Sequence, residues 1–125
     1  MPAPVLAASD LAVRLRAGEA AIIPTDTLPG LAVRPDQAQI LWRLKRRPAD
    51  KPLILMGASV NDLLHEVAVS CHREVAALAE RYWPGALTLV LPARDGGAGR
   101  YLNPGGTTLG CRIPACEQTC ALLQI

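Results

Sequence analysis

Apolar positions fall into short segments whose spacing alternates between helical and strand-like. Ser9 and Asp10 stand ahead of Leu11, Ala12 and Leu15, which share one helical face, and Gly18 is the stop signal. Residues 20–23 form an apolar run closed by Pro24, which predicts a buried strand, and residues 31–33 predict a second short one. Asp36 is the expected cap of a helix with Ile40, Leu41 and Leu44 on one face, ended by Pro48. Residues 52–56 are again an apolar run. Ser59 followed by Asp62 has the spacing of a capping box, opening a short helix through Leu63, Leu64 and Val67. A longer helix is predicted over residues 71–82, with Val75, Leu78 and Ala79 inward. Residues 87–91 and 107–113 read as strands on either side of a glycine-rich loop at 94–106. Strands alternating with helices predict one α/β layered domain with a largely buried sheet.

The ending supports two readings. Residues 121–125 are mostly apolar, and a helix starting near Glu117 would stop with its apolar face still running. Either a short helix docks on the core, or the chain stops within a larger domain whose C-terminal part is missing.

Composition narrows the class. Of 125 residues half are hydrophobic and 19% charged, so a disordered charged tail is excluded and a core is affordable at this length. That core is aliphatic, because there is no Phe and only two Trp and two Tyr. The net charge of +2 is too small for general attraction to nucleic acid or membrane. The N-terminus lacks a basic stretch followed by an uninterrupted apolar one, and the longest uncharged apolar window, residues 82–93, falls short of the roughly 20 residues of a membrane span. A soluble, cytoplasmic protein is expected, with no membrane partner. The four cysteines, Cys71, Cys111, Cys116 and Cys120, lack the tight pairs of a zinc site and read as small apolar filler. His65 and His72 have no spaced nucleophile and read as structural.

Candidate chemistry concentrates in Lys45-Arg46-Arg47-Pro48-Ala49-Asp50-Lys51, which holds both lysines of a chain that otherwise uses arginine. A crowd of Arg and Lys around a turn fits a phosphate-rich ligand. It also fits a solvated helix end complementing the helix dipole. Pro24-Thr25-Asp26-Thr27 places two hydroxyls and a carboxylate after a strand, where α/β sheets bind ligands, although ordinary turn chemistry uses the same residues. Trp83-Pro84-Gly85-Ala86-Leu87-Thr88 makes a sharp turn before a strand. No Walker loop, dinucleotide fingerprint or nucleophile elbow is present.

Four segments in order, Pro24-Thr25-Asp26-Thr27-Leu28-Pro29-Gly30-Leu31, Leu44-Lys45-Arg46-Arg47-Pro48 with Lys51-Pro52-Leu53, Trp83-Pro84-Gly85-Ala86-Leu87-Thr88-Leu89, and Gly110-Cys111-Arg112-Ile113-Pro114, resemble the YrdC-like threonylcarbamoyl-AMP synthase family. The resemblance implies a twisted mixed α/β sheet with flanking helices and a concave cavity. It implies condensation of ATP, L-threonine and bicarbonate to threonylcarbamoyl-AMP and pyrophosphate, with ATP as substrate, Mg2+ alongside it, and tRNA modification downstream.

Carried over by motif, Lys45 and Arg47 match the K-x-R pair that holds the phosphates and acidic reactants and act as the catalytic pair. Lys51 and Thr88 fall on the ATP side, Thr27 and Arg112 on the L-threonine side. Lys45, Arg47 and Lys51 are expected to converge on one concave surface facing Thr27 and Thr88. Pro29 stands where many members carry an aromatic, and Met56 where members often have His. The family's Ser-Ala-Asn motif lies beyond Ile125, so a single, incomplete domain is expected. The alternatives are a non-catalytic RNA-binding module using the Lys45–Lys51 surface for tRNA, and a carbamoyl-transfer domain related to those of hydrogenase maturation factors; tRNA or tRNA-modification proteins are the expected macromolecular partners.

Overall fold

A computed structural model describes residues 5–45 and 51–124. Helix α1 (Ala8–Arg16) leads into an antiparallel ribbon of β1 (Ala21–Ile23) and β2 (Gly30–Ala32), paired Ala21 to Ala32 and Ile23 to Gly30. A 3-10 turn at Pro35–Gln37 opens α2 (Ala38–Lys45). Strand β3 (Ile54–Met56) lies parallel to β5 (Thr108–Arg112), and β4 (Leu89–Pro92) pairs with the other edge of β5 antiparallel, giving the mixed order β3-β5-β4. Helices α3 (Val60–Leu64), α4 (His72–Tyr82), α5 (Gly99–Leu102) and α6 (Glu117–Gln124) complete the chain. The expected mixed α/β sheet with flanking helices is the one observed.

Two clusters hold it together. Leu63, Val75, Ala79 and Trp83 from the α3–α4 region pack against Leu91, Leu109, Cys111 and Ile113 of the sheet, with Leu102 of α5 closing the cluster. Burying such aliphatic side chains contributes about 1.5–3 kcal/mol each, enough for a core with little aromatic surface. Ala12, Ile23 and Leu122 form the second cluster, which ties α1 and α6 to the ribbon. Between ribbon and β3 lies a mainly apolar cavity of about 320 Å3, walled by Ile23, Leu31, Leu55 and Met56 among others.

Several local expectations shift. Ser59 does cap α3, its Oγ accepting the Asp62 N–H at 3.2 Å. Asp36 does not cap α2. Its carboxylate accepts from Arg34 Nε at 2.5 Å, which holds it below the usual carboxylate range, and α2 begins at Ala38. Leu78 is 41% exposed, because α4 buries only the stripe made by Val75 and Ala79. The glycine-rich stretch contains the short helix α5. The end of α2 at Pro48 lies outside the described residues.

Candidate functional site

The loop after β1 is ordered by hydroxyls. Thr25 Oγ1 donates to the Leu28 carbonyl at 2.7 Å and accepts the Thr27 N–H at 3.0 Å. Its single proton is thereby committed, so in the 3.2 Å contact between the two hydroxyls Thr27 is the donor. On the other side Thr119, buried in α6, donates Oγ1–H to the Pro24 carbonyl at 2.5 Å. The turn chemistry expected of these residues is present in this loop.

Arg112, the last residue of β5, binds this loop to the sheet. It is 7% exposed. Its Nε donates to the Gly85 carbonyl at 3.0 Å, one terminal nitrogen to Thr27 Oγ1 at 3.3 Å, and the other forms an ion pair with the Asp26 carboxylate. Charge-assisted bonds from a fixed planar fork are stronger than neutral ones and specify direction. Sequence reasoning noticed Asp26 without giving it a partner, since the two residues meet only after folding.

Arg112 also grips the second motif loop through Gly85. The Gly85 N–H donates to Ile113 O at 2.9 Å, and Trp83 Nε1 donates to Leu87 O at 2.8 Å. Glycine is required at Gly85, where a Cβ would lie 2.7 Å from the Tyr82 carbonyl oxygen. Thr88, half-buried, precedes the Leu89–Cys111 pair and flanks Gly110 on the face that Ile54 covers from β3. Thr27, Arg112 and the loop leading to Thr88 thus meet at one end of the sheet.

The lysines form a second group. Lys45 ends α2 and is exposed. One turn earlier, Trp42 Nε1 donates to the Lys51 carbonyl at 3.1 Å, bringing the chain at Lys51 back beside the helix that carries Lys45. Arg47 lies outside the described residues. Lys51 precedes β3, whose far end, Met56, pairs with Arg112. Five residues span at most about 18 Å, which bounds the distance along the chain between the two groups. None of Lys45, Lys51, Thr27, Thr88 or Arg112 lines the apolar cavity.

Among the described residues no three His, Cys, Asp or Glu side chains gather into a metal-holding group. The four thiols are unpaired with one another. His72 Nε2 donates to the Val67 carbonyl at 2.9 Å, which accounts for it structurally. Among the described residues no helix is long and apolar enough to cross a membrane.

Residues 13–125 match the Sua5/YciO/YrdC family, described as "Telomere recombination". The threonylcarbamoyl-AMP synthase of Pyrococcus abyssi is 36% identical over 114 residues, covering 89% of this chain and 33% of that protein. That of Bacillus subtilis is 32% identical over 116 residues, covering 90% and 33%. The crystal structure of P. abyssi Sua5 complexed with L-threonine superposes with a TM-score of 0.86 at 33% identity, covering 94% of this chain and 35% of that one. The chain therefore spans about a third of the length of these relatives. By its sequence and by its fold, it belongs to the Sua5/YciO/YrdC family.

Proposed function

We propose that the chain carries the ATP- and L-threonine-handling face of an L-threonylcarbamoyladenylate synthase. The reaction joins L-threonine, bicarbonate and ATP to threonylcarbamoyl-AMP, releases pyrophosphate, and supplies a cytoplasmic tRNA modification. The observation that carries this reading is the attachment of the Thr25–Thr27 turn to the end of β5 by Arg112, in a fold shared with a protein whose structure holds L-threonine.

The residues suit that chemistry. An acidic carbamate must approach the α-phosphate of an already anionic triphosphate, and fixed cations relieve the repulsion while holding the reactants in line. Lys45 and Arg47 take that role, with Lys51 and Thr88 on the nucleotide side and Thr27 with Arg112 on the threonine side. Magnesium would travel on the ATP phosphates, as it commonly does. The described residues provide no cage for it, so no step is assigned through it.

Pyrophosphate release by the chain, measured with ATP, bicarbonate and L-threonine together and with each omitted, tests the reading. Release that requires all three supports it. Release that ignores L-threonine, or failure of the chain to bind both ATP and L-threonine, overturns it.

A further inference from the structure

We infer that the apolar cavity between the ribbon and β3 is an open slot in a sheet. It takes an extended apolar peptide segment, from polypeptide outside these 125 residues, as an added strand. None of Lys45, Lys51, Thr27, Thr88 or Arg112 lines the slot, so the inference stands apart from the functional reading.

The walls identify the occupant. Strands β2 and β3 each give three consecutive residues to the cavity, Gly30 to Ala32 and Ile54 to Met56. Successive residues of a strand alternate between its faces, so a cavity touched by three in a row abuts the strand's edge. Among the described residues β2 pairs only with β1, and β3 only with β5, which leaves those edges open. The Gly57 N–H donates to Arg112 O at 3.1 Å on the β5 side. Alternation therefore turns the N–H and C=O groups of Ile54 and Met56 toward the cavity. A Cβ at Gly30 would meet nothing within 4 Å.

Helices cover the slot on both faces. Leu55 packs into the cluster that holds Leu102 of α5, and Met56 into the one formed by Ala12 of α1, Ile23 and Leu122 of α6. Neighbouring residues of β3 thus reach opposite layers. Strand edges on two sides and helices on the other two make the position of a central strand, which reads as a continuous apolar run. The backbone groups along such an edge are satisfied by another backbone, not by a lipid chain. Among the described residues Arg16 and Arg34 line the cavity and no carboxylate does, so acidic flanks suit the segment better than basic ones. The chain spans about a third of the length of its P. abyssi and B. subtilis relatives, which therefore contain further polypeptide able to supply a strand.

The probe is a synthetic peptide of six alternating valines and isoleucines flanked by glutamates, added to the 125-residue chain. Amide exchange at Ile54 and Met56 is expected to slow at least tenfold, with α4 unchanged. N-methylation of alternate peptide bonds keeps the side chains and removes the donors along one edge, and is expected to weaken binding at least tenfold. A lysine in place of a central valine should weaken it as much. Ile54→Pro removes one slot-facing donor at a half-exposed edge position, where proline is tolerated, and is expected to raise the peptide Kd about fivefold.

Unchanged exchange at Ile54 and Met56 under saturating peptide, or equal binding of the N-methylated peptide, would overturn the inference. So would protection of these amides that grows with protein concentration alone, with a matching dimer in sedimentation, since the occupant would then be a second copy. Should Ile54→Pro not fold, the N-methylated peptide still decides the matter on the wild-type chain.

Discussion

The indole N–H of Trp42 donates to the backbone carbonyl of Lys51 at 3.1 Å, fastening the start of the β3 segment to the helix that ends at Lys45. The backbone at Lys51 is thereby held beside the helix that ends at Lys45 by a tryptophan that carries no charge. Trp42→Phe keeps the ring and removes the donor. It is expected to cost about 1 kcal/mol of stability in a urea titration and to weaken ATP binding about fivefold. Retained ATP affinity in Trp42→Phe would show that the bond does not set the lysines.

A similar tether acts just past the end of β4. Glu66 Oε2 accepts the Ala98 N–H at 2.6 Å and sits 3.8 Å from an Arg94 nitrogen, and a Cβ on Gly97 would fall 2.5 Å from that same oxygen. A Cβ at residue 97 would push this carboxylate aside and loosen its bond to the Ala98 N–H. Gly97→Ala should therefore lower stability by about 1–3 kcal/mol, through steric strain or loss of the carboxylate's bond. The effect should reach the segment that leads into β3. Helix α5, which follows this loop, ends at Leu102, whose carbonyl accepts the Leu53 N–H at 2.9 Å, two residues after Lys51. Equal urea midpoints for Gly97→Ala and wild type would refute the close contact.

Burial pushes the Cys111 thiol up from 9.0 to about 12, with the Glu66 carboxylate adding to the shift. The folded protein therefore holds this proton at pH values where the unfolded chain releases it. The associated stability is fully present below about pH 9 and is lost as pH rises toward 12, by up to about 1.4 kcal/mol per pH unit. Urea midpoints measured from pH 8 to pH 11 should fall more steeply in wild type than in Cys111→Ala. Parallel curves would remove Cys111 as a cause. At pH 8 the half-exposed Cys116 should react with iodoacetamide while Cys111 stays unmodified.

The sequence made the order of elements readable wherever a local signal existed. Ser59 three residues before Asp62 gave a true cap, and the alternation around Val75 and Ala79 gave α4 its buried stripe. What stayed hidden depended on partners distant in the chain. Asp36 has good cap chemistry, but Arg34 claims it. Residues 99–102 look like loop beside so many glycines, yet Leu102 is drawn into the core and a helix forms there. For the candidate site the sequence offered the hydroxyls after a strand at Thr25–Thr27 and the clustered lysines Lys45 and Lys51. That Arg112 holds Asp26 across 86 positions, and that Trp42 holds Lys51, follows only from the folded chain.

Lys45 and Arg43 both lie on α2 and both are exposed, yet only Lys45 belongs to the proposed phosphate-holding face. Calorimetric titration of ATP into the wild-type chain, Lys45→Ala and Arg43→Ala measures that difference most directly. The expected result is a one-to-one complex with wild type, at least tenfold weaker binding with Lys45→Ala, and less than a twofold change with Arg43→Ala. Equal losses from the two substitutions, or no ATP binding by wild type, would contradict a nucleotide site built on this face.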